Sequence, residues 1–273
     1  MVSNVASFVG IMRYEFRMQI RRIAVWIVPV LLIAFQFSLS RMWLPNSLDT
    51  SWYKSFFRHG EFERMLLYSS ALLAGNANLF LPLGVGILMA DRWVRTRSAL
   101  VEELVQAFPV SIGARILGTY LGNVAATLVP VLLCYGVGVA YVFWIARDIH
   151  AVLYGILCFA VIMLPGMLFV SAFSLAGPVF FGTPFYRFLF ICYWFWGNLL
   201  RPGYGVPTIS RTILTPVGIY MANGFFGVDI IAGSGLMVVS PLQGLESLLA
   251  LVGTALAALG ILWGFACWRQ RRC

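Results

Sequence analysis

The chain has 273 residues, of which 61% are hydrophobic and 11% charged, with a mean hydropathy of +0.88. A soluble domain is about 45–50% apolar and about 25% charged, so this chain has too little polar surface to cover itself in water and reads as an integral membrane protein. Its net charge of +9 comes from arginines beside apolar blocks, a placement that sets topology and meets anionic headgroups and argues against a nucleic-acid partner. The blocks are continuous, and about 20 residues long. They are not the alternating ~10-residue segments of a barrel, so an all-α protein is expected.

The opening stretch "FVGIMRYEFRMQIRRI" places Phe8, Met12, Phe16 and Ile20 four residues apart, with Arg13, Arg17 and Arg21 in a parallel stripe. Residues 1–22 are expected to form an amphipathic helix in the cytoplasmic interface, its arginines at the lipid phosphates. The alternative is that this helix simply extends the first span. No small-residue cleavage site follows before Arg41, so the next block reads as a retained span.

Six spans are expected, at about residues 23–40, 66–90, 116–146, 151–177, 185–200 and 245–268, in one membrane domain covering residues 1–273. The third has room for a tilt or a break near Pro130. Gly177-Pro178 and Thr183-Pro184 separate the fourth from the fifth. With the N-terminus inside, the inner segments hold Arg13, Arg17, Arg21, Arg22, Arg92, Arg95, Arg97, Arg115, Arg187, Arg269, Arg271 and Arg272, twelve of the 19 basic residues. The excess predicts cytoplasmic termini in a plasma-membrane protein. Residues 41–65 carry aromatics suited to the headgroup zone. In residues 201–244, "RTILTPVGIYMANGFFG" is too short and broken to span. It is expected to be a re-entrant or interfacial hairpin, or a surface loop lying on the lipid.

Between the second and third blocks, residues 90–118 concentrate Asp91, Arg92, Arg95, Arg97, Glu102 and Glu103. Leu100, Leu104 and Phe108 then recur at four-residue spacing, with Glu102 and Glu103 opposite. Ser98 can cap this helix and Pro109 ends it. A helix this short needs a surface to be stable. Its acids suit a protein surface better than an anionic leaflet. Pairing with Arg92, Arg95 or Arg97 is the intramolecular alternative.

The order "ADRWVRTRSALVEELVQAFPVSIGARILGTYLG" resembles the region between the second and third spans of ABC-2 type transporter permeases. It has an Asp-Arg start, a short Glu- and Leu-rich helix, a Pro-Val-Ser turn and an apolar opening to the next span. Thr119 stands where the family often has Lys, and Val105 where Leu is frequent. The resemblance implies an ABC-2, type V exporter-like permease with a coupling segment at residues 91–115. Leu100, Leu104 and Phe108, with Pro109 after them, would then fill a groove in a separate cytoplasmic ABC ATPase. Glu102 and Glu103 would meet the groove's rim. It further implies ATP and Mg2+ bound by that partner, a second permease copy or paralogue, and export. No GxxxxGK[ST] motif occurs, so no catalytic, cofactor or metal site is expected in this chain.

Other signals are weaker. The five cysteines lack metal-site or disulfide spacing and read as small buried residues. Gly118 and Gly122 form a GxxxG, for packing within the subunit or at a dimer seam. Asn76, Asn78 and Gln36 read as polar links between helices. Arg187 and Glu246 read as interfacial groups. The aromatic run "FYRFLFICYWFW" suits either an apolar cargo or lipid. An alternative function, a membrane-embedded lipid-modifying enzyme, would draw on His59, Glu61, Glu63, Asp148 and His150. Another is a non-transporting anchor for a cytoplasmic partner.

Overall fold

The computed structural model describes residues 4–43, 62–92, 111–200, 205, 207–230 and 239–271. Among these are eight helices and no strand: α1 (Asn4–Ile20), α2 (Ile23–Trp43), α3 (Phe62–Met89), α4 (Ile112–Ala146), α5 (His150–Phe181), α6 (Thr183–Leu199), α7 (Ile219–Phe226) and α8 (Pro241–Gln270). Four of them, α3, α4, α5 and α8, are long and apolar enough to cross a membrane. A bent pair, α1 and α2, inclined by 61° at its break, makes a fifth if counted as one span. The expected fifth span, α6, has 17 residues, or about 25 Å of helix, short of a ~30 Å hydrocarbon core.

Helix α3 is the hub. It packs against α2, α4, α5 and α7, and 61% of its apolar window is buried, against 28% for α8. Leu81, Val85 and Met89 of α3 meet Met163, Met167 and Leu175 of α5 in the core. The peripheral helices turn Leu132, Leu133 and Val137 of α4, and Leu249, Leu256 and Ile261 of α8, outward. Such an apolar exterior is stable only in hydrocarbon.

The chain's irregularities fall where proline chemistry requires them, not all where expected. α4 continues through Pro130 over its 35 residues, so of the tilt or break allowed there the break does not occur; membrane helices tolerate such a proline where their surroundings satisfy the freed backbone group. The interruption lies in α5 instead. Residues Phe159–Met163 form a π turn just before Pro165. The wider turn accommodates a ring that would collide with the carbonyl four residues back. α5 also runs past Gly177-Pro178 to Phe181, and the chain turns at Gly182, whose φ of 75° favours glycine. Pro184 then occupies the first turn of α6, where its missing N–H is not needed.

Candidate functional site: a buried ionic anchor

The segment from Ala90 onward leaves α3 through two buried charges. Asp91 is 7% exposed and Arg92 4%. Arg92 Nε donates to Asn123 Oδ1 of α4 at 2.9 Å, and its Nη2 reaches Glu15 Oε2 of α1 at 3.4 Å. Asn123 completes the triangle: its Nδ2 donates to Glu15 Oε2 at 3.0 Å and to the Thr119 carbonyl at 2.7 Å. Asp91 faces two more arginines, Arg22 Nη1 at 3.7 Å and Arg187 Nη2 at 3.9 Å. Those distances are Coulombic contacts, not hydrogen bonds. Arg187 also donates to the Ile87 carbonyl. Two consecutive residues thus tie the end of α3 to α1, the start of α2, α4 and α6.

The cluster lies one third of the way along α4. Asn123 to Ala146 spans about 35 Å of helix, a hydrocarbon core with a small margin. The first three turns of α4 project beyond the cluster, and α1 lies along them. Gly118 and Gly122 make this possible. A Cβ on Gly122 would lie 2.5 Å from the Met12 carbonyl, and one on Gly118 3.0 Å from Ile11. The GxxxG therefore packs helices within the subunit. At the α1–α2 break, Trp26 Nε1 donates to the Ile20 carbonyl at 2.8 Å, satisfying one of α1's terminal acceptors.

The face of α1 that packs on α4 is not the stripe from Phe8 to Ile20. Its buried residues are Glu15 and Gln19, whereas Phe8, Met12, Phe16 and Ile20 are only half-buried. A strict four-residue spacing drifts by about 40° per step, so the stripe ending at Ile20 has turned away from the contact that Phe8 makes. Residues 8, 12, 15 and 19 stay on one face, and that face carries a carboxylate and an amide. Arg13, Arg17 and Arg21 are exposed, and Arg13 and Arg17 flank a hollow of about 360 Å³ beside Ala125. Leu100, Glu102, Glu103, Leu104, Phe108 and Pro109 lie outside the described residues, as do Arg95 and Arg97. Glu15 and Asn123 were not singled out from the sequence. The available signal was a lone acid in an arginine-rich helix, and an ionisable group near a membrane is a functional candidate by default.

A second polar junction lies deeper. Asn78 of α3 is fully buried, and its Nδ2 lies 3.1 Å from the Ile162 carbonyl in the π turn, 2.8 Å from the Pro216 carbonyl and 3.0 Å from that of Val217. Counting along α3, Asn78 stands about 16 Å from Met89 and about 24 Å from Phe62. The segment before α7 therefore folds back into the bundle to the middle third of α3. Gly166 allows the approach, since a Cβ there would lie 2.2 Å from the Pro216 carbonyl. Non-helical backbone at such depth must be buried in protein with its polar groups satisfied, and Asn78 does this.

The remaining candidates have local roles. Asp148 Oδ1 accepts from the His150 backbone N–H at 2.9 Å and lies 2.7 Å from its Nδ1. The backbone bond, then the side-chain one, holds the carboxyl below its usual range, and together they form the turn that starts α5. His59 and Glu61 lie outside the described residues. Among the described residues no three His, Cys, Asp or Glu side chains converge on one point. Of the described cysteines only Cys158 is buried, and Cys192 is exposed, which corrects the expectation of uniformly buried thiols: a thiol is apolar enough to face lipid as readily as the core.

The fold and its apolar surface define a polytopic helical membrane protein. No model of a known protein family matches the sequence, and no curated protein does.

Proposed function

We propose that the chain is the membrane-spanning permease subunit of an ATP-driven transporter of the ABC-2 type. Its six crossings are α2, α3, α4, α5, α6 and α8, in the plasma membrane, with both termini cytoplasmic; the short α6 crosses where the bilayer thins around it. It works with a second permease copy or paralogue and a separate cytoplasmic ATPase that binds ATP and Mg2+. The cargo class is an exported amphiphile: lipid, peptide or drug-like molecule.

The observation that carries this reading is the Asp91–Arg92 anchor. The amphipathic stretch containing Leu100, Leu104 and Phe108 begins six residues beyond Arg92. A force applied to that stretch meets a point linked to α1, α2, α4 and α6. Breaking the buried Arg92–Glu15 pair would leave a charge uncompensated, so these helices are expected to move with the segment.

The test is purification in mild detergent after expression with the native neighbouring genes, comparing the parent with Leu104→Glu/Phe108→Glu. A soluble ATPase is expected to co-purify with the parent and to be lost from the variant. Its absence from both, or its retention in the variant, removes the coupling assignment. If an ATPase binds but inactivating it leaves cargo movement intact, the chain is an anchor and not a transporter subunit.

A further inference from the structure

The aromatic run of α6 walls a cavity. Its volume is about 380 Å³, and it is lined by Phe169 and Val170 of α5, Leu189, Phe190 and Trp194 of α6 and Leu214 of the segment before α7. Thr254 of α8 lines it from another side. The floor is deeply buried, with Val170 1% and Trp194 3% exposed. The rim is open, with Phe173 and Leu189 each 40% exposed.

Four polar side chains of this lining are engaged elsewhere. Tyr186 Oη is 3.0 Å from Ser174 Oγ, and Trp194 Nε1 donates to the Leu79 carbonyl at 2.7 Å. Asn198 donates to the Trp194 carbonyl and accepts from Thr215 Oγ1. Thr254 Oγ1 donates to the Ala250 carbonyl. A water molecule needs two to four polar partners and finds few here. The volume falls within the range of small-ligand pockets, about 300–1,000 Å³.

The wall also has a direction. Tyr186, Phe190 and Trp194 succeed one another at four-residue spacing. The first two are stacked with centroids 5.8 Å apart, and the next pair lies 5.7 Å apart. The ladder is about 12 Å long, a track for a linear molecule. The solvent around the open rim is the bilayer, whose fluid is hydrocarbon. We propose that this cavity is a binding site for a single hydrocarbon chain, and that the acyl chain of a bilayer phospholipid occupies it. The bound chain lies against Leu214 and Pro216, the stretch that Asn78 holds. The site is independent of any ATPase pairing.

The experiment uses the full chain in nanodiscs of phosphatidylcholine bearing a diazirine on one acyl chain. After irradiation, adducts are mapped by mass spectrometry. Adducts are expected to concentrate on residues 169–173 and 186–194, above the level on Leu132, Leu133 and Val137 of the outward face of α4. Leu189→Trp, which fills the mouth, and Thr254→Phe, from the other wall, are each expected to lower the cavity adducts at least fivefold. The α4 adducts, elution volume and melting midpoint should not change. Label spread evenly over cavity and α4, in the parent itself, overturns the proposal, as does undiminished label in a variant that elutes and melts like the parent. Phospholipid label absent from the cavity, with a diazirine-bearing dodecanol labelling it instead, overturns the lipid assignment in favour of a single-chain amphiphile.

Discussion

Arg92 is buried because α1 and α4 supply its acceptors, and each acceptor is buried because Arg92 supplies a charge. Removing one member leaves the others stranded, at a cost of about 3–5 kcal/mol for a buried pair. Arg92→Met is therefore expected to lower the detergent melting midpoint sharply. The double change Glu15→Met/Arg92→Met should recover much of the loss, since it removes both charges together. Equal losses in single and double variants would mean that Glu15 and Arg92 do not act as a pair. Asn78 poses the neutral version of the same problem. Asn78→Leu deprives the carbonyls of Ile162, Pro216 and Val217 of their shared donor, and an unsatisfied buried group costs about 1–3 kcal/mol. In a cysteine-free background, Val217→Cys is expected to react slowly with maleimide, and much faster once Asn78→Leu is added.

At the scale of elements, the α1–α4 contact is set by what is missing from two positions in α4. Gly122→Val places side-chain atoms where the Met12 carbonyl and the Glu15 side chain now lie. It is expected to displace α1 and open Arg13 and Arg17 to trypsin at a concentration that leaves the parent intact. Gly136, in the same helix, has open space around it. There Gly136→Ala should be neutral, or stabilising by about 0.5–1 kcal/mol through the lower backbone entropy of the unfolded chain. A similar gain of trypsin cleavage in both variants would show that helix propensity, not the close approach of α1, governs the contact. The break in α5 also sets a contact: the π turn that precedes Pro165 puts the Ile162 carbonyl within reach of Asn78.

At the scale of the molecule, the charge bias and the helix order make a single topology prediction. In a cysteine-free background, Arg13→Cys and Arg269→Cys are expected to label with a membrane-impermeant maleimide only after permeabilisation. Ile149→Cys, in the exposed turn between α4 and α5, should label in intact cells. Labelling of Arg13→Cys and Arg269→Cys from opposite sides would require an odd number of crossings and would remove α2 or α6 from the set of spans. The ionic anchor belongs to this scale too. It ties the end of α3 to α1, to the α1–α2 break, to α4 and to α6.

Composition alone made this a helical membrane protein, because apolar content and block length depend on no particular contact. The apolar blocks likewise located α3, α4, α5 and α8, since a span is a local property of about 20 residues. The polar residues of the blocks were visible one by one: Asn78 stood out, as did Asp91 and Arg92. Their roles were not, because Asn78 finds its acceptors 84 to 139 residues away and Arg92 finds Glu15 77 residues away. Which face of α1 packs on the bundle was not legible for a related reason, since a four-residue stripe describes a helix in isolation and only the neighbouring α4, with Gly118 and Gly122, selects residues 8, 12, 15 and 19. Whether residues 207–230 fold back or lie on the lipid was also undecided in the sequence. Burying that backbone is favourable only where another helix offers a donor at the right depth, and the position of such a donor is a property of the tertiary structure.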